Sequence, residues 1–174
     1  MKEGGVLLNI DVCFKVVRSD TALNHLKDLL DKAASRGFDP KEAVQLALKG
    51  MTVVTRYNQK TYKIDRVDFA QSPETTFDKN GTPTSYREYY KTRYNENISD
   101  ANQPLLINKD RRTGNEVALI PELCQLTGLT DAMRADFRMM KDLAVILHTN
   151  AEAKIKEIKN LMTHFKTNAK CVEK

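Results

Sequence analysis

Short strands at irregular spacing, a hairpin signal that runs straight into a helix, and two well-capped helices near the start predict an α+β fold with a mainly β core. Within that class the pattern suits a small barrel carrying a hairpin-helix insertion. A doubly wound sheet is disfavoured because helices and strands do not alternate regularly. At 174 residues the chain is long enough for one domain with a proper core, or one domain plus an appendage.

Residues 6–17 alternate, with Leu8, Ile10, Val12, Phe14 and Val16 on one face of an expected strand. From Thr21 the apolar interval lengthens: Leu23, Leu26, Leu30 and Ala33 predict a helix, with Gly37 beyond its end. Asp39-Pro40-Lys41-Glu42 sets a cap, a first-turn proline and an acidic third position together. This opens a second helix that stops at Gly50 and turns Ala43, Val44, Ala47 and Leu48 inward. Residues 52–57 and 61–69 read as an antiparallel pair turning near Asn58-Gln59, and the apolar phase slips between Ile64 and Val67, which predicts a bulge.

Thr75-Thr76-Phe77 leads to Asn80-Gly81, the strongest short hairpin signal in the chain. Ser85 and Glu88 then form a capping box for a helix over 86–94. Further on, 104–108 and 116–120 are strand-like around a basic turn at 109–114. Residues 121–126 are expected as one short helix, and Thr130 caps another that runs to about His148. A capping box at Thr149 to Glu152 starts the last helix, with Ile155, Ile158, Met162 and Phe165 along one side.

The chemistry concentrates in the helix over 86–94. Positions 86, 89, 90, 93 and 94 share one face, so Tyr86, Tyr89, Tyr90 and Tyr94 stand together with Arg93 among them. Phenols beside a guanidinium suit a phosphate with a base or sugar laid against it. A core-facing stripe that happens to use tyrosine explains the same spacing. Four phenols in two turns, each wanting a hydrogen bond once buried, count against that plainer account.

Other chemistries are poorly supplied. Seven glycines make neither a phosphate-binding loop nor a dinucleotide fingerprint, and no nucleophile-base arrangement can be assembled. Cys13, Cys124 and Cys171 lack metal-ligand spacing and fit a reducing compartment, cytoplasm (perinuclear granules included) or nucleus. No segment is long and apolar enough for a membrane. The expectation is a non-enzyme with no cofactor, no metal and no membrane partner. A net charge of +5 permits a nucleic-acid partner without demanding one. A peptide-binding interaction module and a general single-strand binder both remain open on these grounds.

Three stretches then carry a resemblance. Ser85-Tyr-Arg-Glu-Tyr-Tyr-Lys-Thr-Arg-Tyr94, Thr55-Arg-Tyr-Asn-Gln-Lys-Thr-Tyr62 and Leu119-Ile-Pro-Glu-Leu-Cys-Gln-Leu-Thr-Gly-Leu-Thr-Asp131 are similar to the PAZ domain of Piwi-clade Argonaute proteins. The likeness covers roughly 5–148 and implies an OB-like barrel with an insertion over about 73–102, then a linker helix and tail over 149–174. It implies a monomeric, non-catalytic module that holds the 3′ end of a small guide RNA such as a piRNA, beside the other domains of a parent Argonaute. By position, Tyr89, Arg93 and Tyr94 would bond the phosphate joining the last two nucleotides. Arg56, Lys60 and Tyr62 would act from the barrel side, and Phe77 would pack on the terminal nucleoside. Tyr90, Ala118 and Ile120 would surround its 2′ position, which is O-methylated in guides of this clade. The position of Ala118 is frequently methionine in the clade, so alanine leaves that methyl with fewer contacts.

Overall fold

The computed structural model describes residues 9–79, 81–110, 113–148 and 150–168. Val16–Gly128 is one compact unit; the segment from 129 onward, with the residues before 16, is the other.

In the first unit, strands β1 (Val17–Thr21), β2 (Thr52–Thr55), β3 (Thr61–Lys63) and β9 (Cys124–Thr127) form an antiparallel sheet in the order β1-β9-β2-β3. A second antiparallel sheet has the order β4-β7-β8, from Arg66–Asp68, Leu105–Lys109 and Glu116–Leu119. Strands β5 (Thr76–Lys79) and β6 (Thr82–Ser85) are a separate hairpin. Among the described residues no sheet closes on itself, so the expected small barrel is not one continuous closed sheet.

The break lies where a bulge was expected. Ile64 exchanges backbone bonds with the chain at Gly50 and Met51, while the next amide, Asp65, donates to Ile107 at 2.9 Å. The phase slip between Ile64 and Val67 is therefore a change of sheet: residue 64 bonds toward the first sheet and residue 65 toward the second.

Around residues 105–107 the β4-β7-β8 sheet is buried on both faces. Leu106 and Leu119 join a core cluster with Ala22, Leu26, Val44, Leu48, Val53, Ile64 and Leu126. Leu105, Ile107, Ala118 and Ile120 point the other way, into a second cluster around Tyr90. Two covered faces explain the unbroken Leu105-Leu106-Ile107 run, where a half-exposed strand would alternate.

Helices α1 (Ala22–Ser35) and α2 (Pro40–Leu48) cover the first cluster. Both start as their sequences predict: the Asn24 amide donates to Thr21 Oγ1 at 3.2 Å and the Lys41 amide to Asp39 Oδ1 at 3.0 Å. On α2 the buried residues are Val44 and Leu48, while Ala47 is exposed.

Other expectations need correction. Regular pairing begins only at Val17, and 9–16 take no strand; 6–8 lie outside the described residues. The segment 121–126 is a three-residue 3-10 turn, Pro121–Leu123, followed by strand β9. Cys124 and Leu126 are buried two residues apart, the period of a strand that fills the gap between β1 and β2.

In the second unit the helix expected from Thr130 is two, α4 (Asp131–Ala135) and α5 (Phe137–Leu147). Asp136 divides them because its carboxylate accepts from the amides of Arg138 and Met139, at 2.9 and 3.1 Å, and so caps a new helix. The last helix, α6 (Ala151–Thr167), is capped by Asn150, which accepts from the Ala153 amide at 2.8 Å; Thr149 lies outside the described residues. Among the described residues no helix is long and apolar enough to cross a membrane.

Candidate nucleic-acid interface

The site grows from the β5–β6 hairpin. Asp78 closes its turn by accepting from the Gly81 amide at 2.6 Å, and Gly81 has φ of 84°, where a side chain would be strained. Asn80, the other half of the turn signal, lies outside the described residues. The hairpin ends on Ser85, whose Oγ accepts from the Glu88 amide at 3.2 Å and starts α3 (Tyr86–Tyr94). Asn95 stops that helix in the left-handed region at φ 56°.

The tyrosine face of α3 does two things at once. Tyr90 is only 3% exposed and belongs to the core cluster with Ile98, Leu105, Ile107, Ile120 and Leu123. Its neighbours Tyr86, Tyr89 and Tyr94 are half-buried and face a cleft of about 470 Å³. The stripe is therefore divided: Tyr90 is core, while Tyr86, Tyr89 and Tyr94 border an open cleft.

The cleft collects Tyr62, Phe77, Tyr89, Tyr90, Arg93, Tyr94 and Ala118 from the sequence-predicted set. Phe77 stacks on Tyr86 with centroids 4.7 Å apart and meets Tyr89 edge-on at 5.5 Å. Three predicted residues stand elsewhere. Arg56 and Lys60 are exposed in the turn between β2 and β3 and do not line the cleft. Ile120 is 0% exposed, inside the cluster that holds Tyr90, so it supports the cleft wall from within.

Tyr57, from the strand pair, lines the cleft as well, and so do Lys79, Asn58 and Val117, which sequence reading passed over. Lys79 was findable: it lies two residues after Phe77 on the same strand, hence on the same face. Its ammonium sits 5.1 Å from the Tyr89 ring centroid, and the Arg93 guanidinium lies 5.7 Å from that of Tyr94.

Two hydroxyl contacts tie the walls together. The Tyr90 hydroxyl donates to the Ala118 carbonyl at 3.2 Å and lies 3.2 Å from the Tyr57 hydroxyl. Burial pushes the phenols of Tyr57, Tyr90 and, less deeply, Tyr89 above their ordinary range, so these three stay protonated at neutral pH. Hydrogen bonding to Tyr94 and the nearby Tyr89 phenol hold the Arg93 guanidinium above its ordinary range, so it remains a cation.

The cleft also contains Asp78 and Glu116. Glu116 is paired with Arg66 at 2.7 Å, and the same guanidinium holds Asp68 at 2.7 Å. With that carboxylate countered, Lys79 and Arg93 favour an anion in the cleft. Elsewhere in the unit, burial pushes the Cys124 thiol up to about 12, which makes it a packing residue rather than a nucleophile. Among the described residues no cluster of His, Cys, Asp and Glu could hold a metal ion.

A family model for the PAZ domain matches residues 23–151. The chain belongs to the PAZ domain family. This PAZ domain is 43% identical over 178 residues to Piwi-like protein 1 of Gallus gallus, covering 99% of the chain and 20% of that protein. It is 38% identical over 177 residues to Protein aubergine of Drosophila melanogaster, covering 98% of the chain and again 20% of the relative. The crystal structure of Drosophila Piwi superposes with a TM-score of 0.50 at 28% identity, over 89% of this chain and 18% of that one. The PAZ domain thus spans about 20% of the length of these curated relatives. PAZ is an RNA-binding domain, not a catalytic one.

Proposed function

We propose that this PAZ domain anchors the 3′ end of a single-stranded small guide RNA such as a piRNA, 2′-O-methylated on its last nucleotide, without reading base sequence. The observation that carries this reading is the cleft itself: phenols of Tyr62, Tyr89 and Tyr94 converge with Arg93 beside the ring of Phe77. Such a set bonds a phosphate and packs a nucleoside, yet it offers no fixed pattern of donors and acceptors for a base edge. In this reading Tyr89, Arg93 and Tyr94 hold the phosphate between the last two nucleotides, Tyr62 faces them, and Phe77 covers the terminal nucleoside. Arg56 and Lys60 meet the backbone from the turn outside the cleft. The module runs to about residue 148, with 149–174 as a linker to other domains of the parent Argonaute.

The direct test is titration with short RNAs that differ only at the 3′ end. A free or 2′-O-methylated end should bind, and a 3′-terminal phosphate should weaken binding strongly. Equal affinity for both kinds of end would leave only a general single-strand binder.

Tyr89→Phe and Tyr94→Phe should each weaken RNA binding by about 1 kcal/mol, the net worth of one hydrogen bond, and by more where the partner is a charged phosphate. Their folds should survive, because only half-buried hydroxyls are removed. Unchanged affinity in both variants would show that neither phenol touches the RNA.

Ala118 and Tyr90 border the space assigned to the 2′ group. Burying one methyl there gains at most about 0.8 kcal/mol, a several-fold preference for 2′-O-methyl over 2′-hydroxyl ends. Alanine leaves slack around that methyl, so Ala118→Met should raise the preference by closing the gap. Two RNAs identical except for the methyl, measured against both proteins at one salt concentration, decide it. A preference that falls on substitution would mean that methionine blocks the site.

A further inference from the structure

We infer that Tyr57 is a positioning residue of the cleft, which holds Tyr94 in place for RNA and makes no phosphate contact of its own; the inference rests on the functional reading above. A phenol has one proton. The Tyr90 hydroxyl gives its proton to the Ala118 carbonyl, so in the 3.2 Å contact between the two phenols Tyr57 must be the donor. The Tyr57 proton is thereby committed, and its oxygen presents only lone pairs, which a phosphate repels.

What Tyr57 does offer the cleft is its ring. The ring lies 4.4 Å from that of Tyr94, tilted by 41°, and meets Tyr90 edge-on at 5.1 Å. Tyr94 stands at the end of α3, where only the left-handed Asn95 follows, so helix geometry alone constrains it weakly on that side. Tyr57, by contrast, sits in a closely tied turn. The Thr55 amide donates to the Lys60 carbonyl at 3.0 Å, the Lys60 amide to Asn58 Oδ1 at 3.1 Å, and the Arg56 amide to the Leu123 carbonyl at 3.0 Å. The Thr55 hydroxyl also bonds to Asn58. A rigid turn thus braces the ring that braces Tyr94.

The same turn treats Tyr62 differently. Asn58 Nδ2 donates to the Tyr62 hydroxyl at 3.4 Å, which leaves that phenol its own proton for a ligand. The phenols of the two turn residues divide accordingly: Tyr57 joins Tyr90 in a hydroxyl chain ending on Ala118, and Tyr62 keeps its donor.

The test is a double-mutant cycle on RNA affinity in the whole chain, with thermal unfolding recorded alongside. Tyr57→Leu should weaken binding about fivefold in the folded protein, the equivalent of losing one well-placed hydrogen bond. Tyr57→Phe keeps the ring and should stay within about twofold of the parent, although it melts earlier because Tyr90 loses a partner. In a Tyr94→Phe background Tyr57→Leu should have no further effect, since no hydroxyl remains to be misplaced. Should the leucine variant unfold, Tyr57→Met, closer to tyrosine in length, takes its place in the same cycle.

Three results overturn the inference: Tyr57→Phe as damaging to affinity as Tyr57→Leu, an equal loss for Tyr57→Leu with and without the Tyr94 hydroxyl, or no loss in the folded Tyr57→Leu protein. A parent chain that binds no RNA would instead remove the functional reading, and this inference with it.

Discussion

Tyr90→Ala is expected to lower the unfolding free energy by about 3–5 kcal/mol, the range for truncating a large buried aromatic residue. The ring fills the cluster between α3 and the β4-β7-β8 sheet, against Ile98, Leu105, Ile107, Ile120 and Leu123. Its loss leaves a cavity and also orphans the Ala118 carbonyl and the Tyr57 hydroxyl. Against a typical total of roughly 5–15 kcal/mol, that is enough to loosen the hairpin-helix insertion or to unfold the domain. Urea unfolding measures it. Tyr90→Phe is the informative partner, because it keeps the cavity filled and removes only the hydroxyl, at about 1–3 kcal/mol. A loss below 1 kcal/mol for the alanine variant would mean that α3 does not depend on this ring.

Arg93→Ala should leave the fold intact and weaken RNA binding about equally for every sequence. The guanidinium is exposed on α3 and pairs with no carboxylate among the described residues, so no folded-state charge pair is broken. Its role in the proposed site is one phosphate. Removing it should flatten the dependence of log affinity on log salt by about 0.7, the value for a single phosphate contact on single-stranded nucleic acid. Affinities at several salt concentrations with two unrelated RNA sequences check both points. A loss confined to one sequence would indicate base readout, which a guanidinium held on a phosphate does not supply.

The two variants probe opposite sides of one helix face, and that face shows where sequence reading reaches its limit. The interval 86, 89, 90, 93, 94 identifies shared orientation from the helical repeat alone. It cannot say which of these positions lies under the cleft floor. Tyr90 is buried because Leu105, Ile107, Ile120 and Leu123, distant in the chain, pack around its ring, and Ala118, 28 residues away, accepts from its hydroxyl. Tyr57 was legible as part of a strand pair, but its ring contact with Tyr94 depends on how a turn and a distant helix are brought together.

The same division explains the errors in the fold. Of the helix expected over 121–126, only a single 3-10 turn at Pro121–Leu123 forms. What makes Cys124–Thr127 a strand is the pair of neighbours waiting on either side, β1 and β2. The phase slip after Ile64 was visible, yet only the partners of residues 64 and 65 reveal a change of sheet rather than a bulge. Asp136 is a different case: its capping bonds are local, and a cap inside an apolar run was there to be read.

By itself, then, the sequence determined the helix starts at Thr21, Asp39 and Ser85, the hairpin before α3, the aromatic face, and, through three matched stretches, the family. These depend on residues within one or two turns of each other, or on long contiguous strings. The tertiary structure decided which phenols are core and which line the cleft, that Ile120 supports the wall while Arg56 and Lys60 stand outside it, and that Lys79 belongs to it. Burial and hydrogen-bond partnership are properties of atoms brought close from distant parts of the chain, and no local period encodes them.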